Sequence, residues 1–389
     1  MNIIPYCKQS ISKSDKKKIY QSLSEKLITT GKFVKQFEDK TKKFLKSNYT
    51  LSCSSGTAAI HMALLSVDLK ENDCVIMPAI NFIASYNLCL MLKSKIYLAD
   101  VDSVTGQMKP SNVLDCIKKN KLKKIKLIIT MYLGGNPENV AEFYRLKKKY
   151  SCFLIEDACH AFGAKYMHNK MLLTVGSCRH SDICTFSFHP VKPITTGEGG
   201  LVTTNNKKLY EKMLLLRSHG IKRKKDHWKY EVEFPGFNYR LSDINCALGI
   251  SQLKRVDGFQ KKKKLFSNIY YKLLTKHKNI CFFPKYNNET KNSWHLFLIH
   301  LDFKKLRTGK DKFIKFMLKA NIALQYHYTP IFMYKNIFKD YNETEIKEYF
   351  PGSLNYYKTC VSLPLYYDLS IKSIKYITNK ISKFIKIHQ

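Results

Sequence analysis

Lys192 sits in the run Ser187-Phe188-His189-Pro190-Val191-Lys192-Pro193-Ile194-Thr195-Thr196-Gly197-Glu198-Gly199-Gly200, a setting that could make its amine reactive. The residues from Asp182 to Phe188 are β-branched and aromatic, Pro190 and Pro193 stop that run, and Gly197 to Gly200 turn into another strand. Lys192 is therefore expected on a loop at a strand's exit. A lysine held there in a partly apolar pocket has its ammonium pKa lowered and can form a Schiff base with an aldehyde cofactor. The competing reading is a solvated loop lysine, one of very many in this chain.

Upstream, the apolar run Cys152-Phe153-Leu154-Ile155 ends in Glu156-Asp157 and continues as Ala158-Cys159-His160-Ala161-Phe162-Gly163-Ala164. In open α/β sheets the ligand crevice lies beyond the carboxyl ends of the strands, which puts Asp157 in position to face a cofactor. A carboxylate on a pyridine nitrogen keeps it protonated, so the ring can accept electrons. Capping of a following helix is the other use of an aspartate here. A third segment, Leu51-Ser52-Cys53-Ser54-Ser55-Gly56-Thr57, is a small-residue turn opening a helix that runs through Leu65. Free amides at a helix start suit a phosphate, and Ser187 could add a hydroxyl to it; an ordinary N-cap has the same sequence appearance.

Such residues need a scaffold that brings strand ends together. Short apolar strands alternate with helices from about residue 50 to 205, at Asp73–Met77, Lys95–Ala99, Lys126–Met131, Phe153–Ile155, Ile183–Phe188 and Leu201–Thr203. This pattern predicts an α/β sheet covered by helices. From Leu241 to about His277 a long helical stretch leads into a smaller part whose strand candidate is Trp294–His300. The expected organisation is a large domain over 1–250, with an N-terminal arm, and a small α+β domain over 251–389.

The three segments together resemble the DegT/DnrJ/EryC1/StrS family of sugar aminotransferases, fold-type I pyridoxal-phosphate enzymes. The resemblance runs through nearly the whole chain: Thr29-Thr30-Gly31-Lys32 with Phe37-Glu38, Asn81-Phe82-Ile83-Ala84-Ser85, Gly135-Asn136-Pro137, Arg217-Ser218-His219-Gly220, Gly236 to Ile244, His327-Tyr328-Thr329-Pro330 and Ser362-Leu363-Pro364. It implies that Lys192 carries pyridoxal 5'-phosphate and shuttles the proton, that Asp157 pairs with the pyridine nitrogen and that Phe82 stacks on the ring. Gly56, Thr57 and Ser187 would hold the phosphate, with Asn238 reaching the phosphate of the neighbouring subunit in a homodimer with shared sites. His160 stands where the family has Gln or His near the phenolic oxygen; for Phe82 and His160 a core aromatic and a satisfied buried histidine remain alternatives. His189, His327 and Tyr328 are candidate substrate contacts.

The implied reaction moves an amino group from L-glutamate to the C4 ketone of a nucleotide-linked 4-keto-6-deoxy sugar. Ser-Phe-His-Pro-x-Lys followed by Pro-Ile-Thr-Thr resembles the subgroup making UDP-4-amino-4,6-dideoxy-N-acetyl-β-L-altrosamine on the route to pseudaminic acid. Perosamine-type synthases acting on GDP- or dTDP-sugars usually show Tyr-Gly-Asn at His189-Pro190-Val191, and they are the alternative. Departures from the family pattern are Lys32 in place of proline, Phe332 in place of a second histidine, and Ser353-Leu354 in place of Ala-Glu.

With 389 residues and 44% hydrophobic content the chain can bury a large core. No apolar run approaches the roughly 18 residues of a membrane span, and the start lacks a signal peptide's layout. The 12 cysteines are scattered without a Cys-x-x-Cys pair, so reduced thiols in a cytoplasm are expected, with neither disulfide frame nor metal site. The net charge of +37 would attract polyanions. A basic nucleic-acid-binding protein and a non-catalytic binder of the cofactor are therefore the more distant readings. Against the first, the runs at Lys16-Lys17-Lys18, Lys147-Lys148-Lys149, Arg223-Lys224-Lys225 and Lys261 to Lys264 are spread along the chain rather than gathered in one nucleic-acid module.

Overall fold

A computed structural model describes residues 3–224, 226, 228–338 and 341–389; Lys225 of the third basic run lies outside them. Its centre is a seven-stranded sheet in the order Tyr49–Cys53, Gly200–Thr204, Ile183–Ser187, Phe153–Asp157, Leu127–Met131, Cys74–Pro78, Lys95–Ala99. From Ile183–Ser187 to Lys95–Ala99 all neighbours are parallel, and Gly200–Thr204 runs antiparallel to both strands beside it. The parallel strands are buried on both faces, which is why Leu127–Met131 reads as a mostly apolar run rather than an alternating one.

Helix Lys32–Leu45 shows how the cover is attached. Phe33, Phe37, Thr41 and Leu45 are buried at four-residue spacing, one stripe along the helix. Its N-cap, Gly31, has no side chain to satisfy the first amides. The buried Asp243 carboxylate does so from the start of helix Asp243–Leu253, accepting the N–H groups of Gly31 (2.7 Å), Phe33 (2.7 Å) and Val34 (3.3 Å). Lys32 therefore needs none of the preset geometry of a proline at this first helical position.

A second, antiparallel sheet joins Cys281–Phe282, Phe297–Leu301 and Cys360–Leu363, and helix Ile371–His388 packs Ile374, Ile377, Ile381, Phe384 and Ile385 into its core. The amino-terminal arm ties the parts together. Ile4 exchanges backbone bonds with Asn321 and Ala323, the Tyr6 carbonyl accepts from Leu365, and the Ser10 carbonyl accepts from the side chains of Gln252 and Arg255.

The expected strands of the large sheet are present within a residue or two of their predicted bounds. Three features differ. Leu51 to Cys53, expected as part of a turn, belong to the strand Tyr49–Cys53, whose Thr50 and Ser52 hide its strand character. The helical stretch after Leu241 breaks at Lys254 and Arg255 into Asp243–Leu253 and Val256–Leu274, where Arg255 reaches across to the buried Asp15 at 2.8 Å. The strand expected over Trp294–His300 starts at Phe297, because Trp294 has φ of 56° and cannot lie in a strand. Among the described residues no helix is long and apolar enough to cross a membrane, and no group of His, Cys, Asp or Glu could hold a metal ion.

Candidate active site

The residues singled out in the sequence converge on one edge of the large sheet. Gly56 and Thr57 follow Tyr49–Cys53, Phe82 follows Cys74–Pro78, Asp157 ends Phe153–Asp157 with His160 beyond it, and Ser187 ends Ile183–Ser187 with Lys192 beyond it. These are the carboxyl ends of strands that all point the same way, where open α/β sheets bind ligands.

Helix Gly56–Ser66 begins with Ser55 as N-cap, its hydroxyl accepting from Ala58 N–H at 3.0 Å, which leaves the Gly56 and Thr57 amides at the open, positive end. The cap uses a different amide from those left open, so capping by Ser55 does not exclude a phosphate at this turn. Ser187 closes the other side: a Cβ on Gly56 would lie 2.7 Å from Ser187 Cβ, so only glycine admits this approach. The turn is braced from behind. Arg217 donates to Glu38 at 2.6 Å and to the Ser52 carbonyl at 3.0 Å, and Glu38 accepts from both Ser52 N–H and hydroxyl.

Asp157 is buried, and one of its carboxylate oxygens accepts the Cys159 N–H at 3.1 Å. No helix starts after it, as residues 158–164 form turns, so it caps none. Burial raises its pKa, opposed by its hydrogen bonds with Cys159 and by the Lys192 charge. Lys192, half-buried, is lowered by burial and partly restored by Cys159, Asp157 and Cys7. The two groups thus feel each other in one cleft, which no solvated loop lysine would do.

Beside them stands a cluster of rings. His160 Nε2 is 2.9 Å from the Tyr328 hydroxyl, and its Nδ1 accepts Gly134 N–H at 3.3 Å. The His295 ring centroid lies 4.1 Å from that of His160, and His327 bonds Ser362 through Nδ1 at 2.8 Å. Burial drives all three imidazoles down, helped by the Lys192 charge, His327 to about 3. They are neutral donors and acceptors in the physiological range. Phe82 is 53% exposed, its ring 5.7 Å from Tyr328. That exposure is foreign to a core aromatic and fits a platform for a planar ligand.

Two predicted residues lie at the margin. His189 is exposed, 3.9 Å from Glu198 across the lysine loop. Asn238 is exposed too, one residue before Tyr239, whose carbonyl accepts Ser54 N–H at 2.8 Å. Conversely, His295, Cys159 and the arm residues Tyr6 and Cys7 join the cleft without a sequence motif that marks them as site residues. Tyr6 faces His327 at 5.6 Å, and Cys7 bonds the carbonyl of Val191, the neighbour of Lys192. Trp294-His295-Leu296-Phe297 had read only as a strand, and the arm carries no periodic pattern to mark it.

The model of the DegT/DnrJ/EryC1/StrS aminotransferase family matches residues 9–382. A UDP-4-amino-4,6-dideoxy-N-acetyl-β-L-altrosamine transaminase of Campylobacter jejuni is 33% identical over 99% of this chain and 98% of its own. A GDP-perosamine synthase of Escherichia coli O157:H7 is 30% identical over 99% of each. Helicobacter pylori PseC, an aminotransferase of pseudaminic acid biosynthesis, superposes with a TM-score of 0.86 at 27% identity over 99% of this chain and 100% of its own. With the lysine, the carboxylate and the helix start meeting at one sheet edge, the chain belongs to the DegT/DnrJ/EryC1/StrS family and is a pyridoxal-phosphate-dependent sugar aminotransferase of fold type I.

Proposed function

We propose that this protein transfers the amino group of L-glutamate to the C4 ketone of a UDP-linked, N-acetylated 4-keto-6-deoxy sugar, giving UDP-4-amino-4,6-dideoxy-N-acetyl-β-L-altrosamine for a pseudaminic-acid-type glycan. The observation that carries the chemistry is the convergence of Asp157, the Lys192 loop and the Gly56–Ser187 turn at the carboxyl ends of neighbouring parallel strands. The substrate rests on the likeness to the Campylobacter transaminase and to PseC. We further assign a cytoplasmic homodimer and a division of the chain into 1–250 and 251–389.

The residues present suit the cofactor: a cradle that a Cβ at Gly56 would fill, a buried carboxylate and a lysine of lowered pKa. Bound pyridoxal phosphate supplies an aldehyde that carries the amino group and a ring that takes up electrons from the substrate carbon. Gly56, Thr57 and Ser187 hold the phosphate, joined by the partner subunit's Asn238. Asp157, costly to keep charged in its buried place, would hold the pyridine nitrogen and would be stabilised as an anion by a proton there. Phe82 covers the ring. Lys192 would be the residue that holds the cofactor, and its amine would move the proton at the reacting carbon. His327 and Tyr328 line the acceptor side, and His189 stands at the mouth.

Mass spectrometry of products tests this. Protein, pyridoxal phosphate and glutamate are mixed with the UDP-linked N-acetyl or the GDP-linked 4-keto-6-deoxy sugar. Amine from the UDP sugar alone is the expected result. Amine from the GDP sugar alone would keep the mechanism and move the substrate to the perosamine type, which the 30% identity to the Escherichia coli enzyme makes the second reading.

A further inference from the structure

The hydrogen bonds around His160 fix a direction that the family pattern does not contain. Gly134 N–H donates to His160 Nδ1 at 3.3 Å, so that nitrogen is an acceptor and a neutral imidazole must carry its proton on Nε2. Nε2–H then points at the Tyr328 hydroxyl oxygen, 2.9 Å away. With that oxygen occupied as an acceptor from the imidazole, the hydroxyl's own proton is directed elsewhere. Gly134 can offer its N–H this way because the Gly134-Gly135 turn has φ of 74° and 97°; a Cβ on Gly135 would lie 2.0 Å from the Ser293 hydroxyl and 2.6 Å from the His160 carbonyl.

The surroundings of Tyr328 are those of the cofactor cleft. Its ring lies 5.7 Å from Phe82 and 5.1 Å from His327, and its hydroxyl feels Asp157, Cys159 and Tyr6. Resting on the cofactor reading above, we propose that Tyr328, oriented by Gly134 and His160, donates its hydroxyl hydrogen bond to the phenolic oxygen of bound pyridoxal phosphate, with His160 as the positioning residue behind it. Burial and the neighbouring Asp157 raise the Tyr328 pKa well above its ordinary value, so the hydroxyl remains a donor throughout the working range. His160 stays neutral, held down by burial and by Lys192, His295 and His327, and so keeps the single proton that sets the direction.

A donor to the phenolic oxygen favours the state in which that oxygen carries its full negative charge, the state reached when the bound cofactor loses its proton. Removing the donor therefore raises the pH midpoint of the cofactor's visible absorption. Titration of the purified, cofactor-loaded protein by absorbance, without substrate, reads this directly. Tyr328→Phe is expected to raise the midpoint by about one to two pH units, as loss of a hydrogen bond to a charged group does, and His160→Leu, which frees the hydroxyl to turn, by a smaller amount. Replacement of Tyr328 by 3-fluorotyrosine keeps the ring and hydroxyl, strengthens the donor and is expected to lower the midpoint; it also serves if the phenylalanine variant folds poorly. A shift in His160→Leu with none in either Tyr328 variant would make His160 the direct donor and overturn the proposal. A normal band insensitive to all three would overturn it too. Absence of any pH-dependent visible band in the unmodified protein would instead remove the cofactor assignment, and the proposal with it.

Discussion

In the proposed mechanism Lys192 and Asp157 divide the chemistry between them, and their removal should then fail in different ways. Lys192→Ala removes both the covalent hold and the proton carrier. It should abolish amine formation and the pH-dependent visible band while still binding the phosphate end of the cofactor. Asp157→Asn keeps the shape but cannot balance a positive ring, so cofactor should be retained with turnover reduced on the order of 100-fold or more. Near-normal turnover would return Asp157 to a purely structural role at the Cys159 turn. The neutral histidines make a separate prediction. His327 is held at about 3 by burial and by Lys192, whereas in the unfolded chain it returns to about 6.5. The unfolded state thus takes up a proton that the native state refuses. The stability this contributes is complete above the unfolded pKa and is lost as pH falls from about 6.5 toward 3. His160 and His295 act with the same sign. Glu156 and Asp157, raised by burial, act with the opposite one. Urea midpoints at pH 7, 6 and 5 for the apo protein and for His327→Asn isolate the one ring. The wild type should lose up to about 1.4 kcal/mol more per pH unit than the variant, and parallel curves would mean that this ring is protonated in the fold.

At the scale of elements, the least obvious support is Asp243, which serves a helix start more than two hundred residues away in sequence. Asp243→Asn offers one oxygen where three amides converged on two, and should cost roughly 1–3 kcal/mol in denaturant unfolding. A loss below a few tenths would show that solvent satisfies the Lys32–Leu45 start. Two of the departures from the family pattern, Phe332 and Ser353-Leu354, lie near one another around Phe350. Phe332 is buried and stacks on Phe350 at 4.7 Å, while Ser353, in the first turn of the helix Pro351–Thr359, donates to Asp100 through both its amide and its hydroxyl. The phenylalanine thus belongs to the core, and the serine anchors the helix Pro351–Thr359. What sequence could reveal follows from the same physics. Leu127–Met131 and Ile183–Ser187 declare themselves because strands buried on both faces are dominated by apolar and β-branched residues rather than alternating with polar ones. Tyr49–Cys53 does not, since Thr50 and Ser52 are satisfied by Ser47 and Glu38, contacts that exist only after folding. Lys192, Asp157 and the Gly56 turn stood out because each has a local frame. His295, Tyr6 and Cys7 have none, and reach the site only through the Gly134 turn and the arm's pairing with Ile322 and Leu365.

At the scale of the whole molecule, the charge of +37 is carried by runs spread along the chain rather than by one segment. Several lysines lie over aromatic rings or beside carboxylates, as Lys310 does between Tyr326 and Tyr357. The sharper question at this scale is which subunit's Asn238 serves a given site. Within one chain Asn238 already lies beside the Ser54 turn, through Tyr239, so proximity alone is compatible with service to its own cradle as well as to a partner's. Two inactive variants decide it. Lys192→Ala destroys its own subunit's site, and Asn238→Asp places a negative charge where a phosphate must sit. In a mixed dimer with shared sites, the subunit that keeps Lys192 receives its Asn238 from the Lys192→Ala chain and is whole. Half of randomly re-paired dimers are mixed and each carries one intact site, so denaturing and refolding an equal mixture should recover about one quarter of wild-type turnover. If Asn238 serves its own chain, every site in the mixture lacks one of the two residues and no activity returns. Sedimentation of the refolded mixture as a dimer makes the second result decisive against shared sites, because it shows that the partners have met without completing each other.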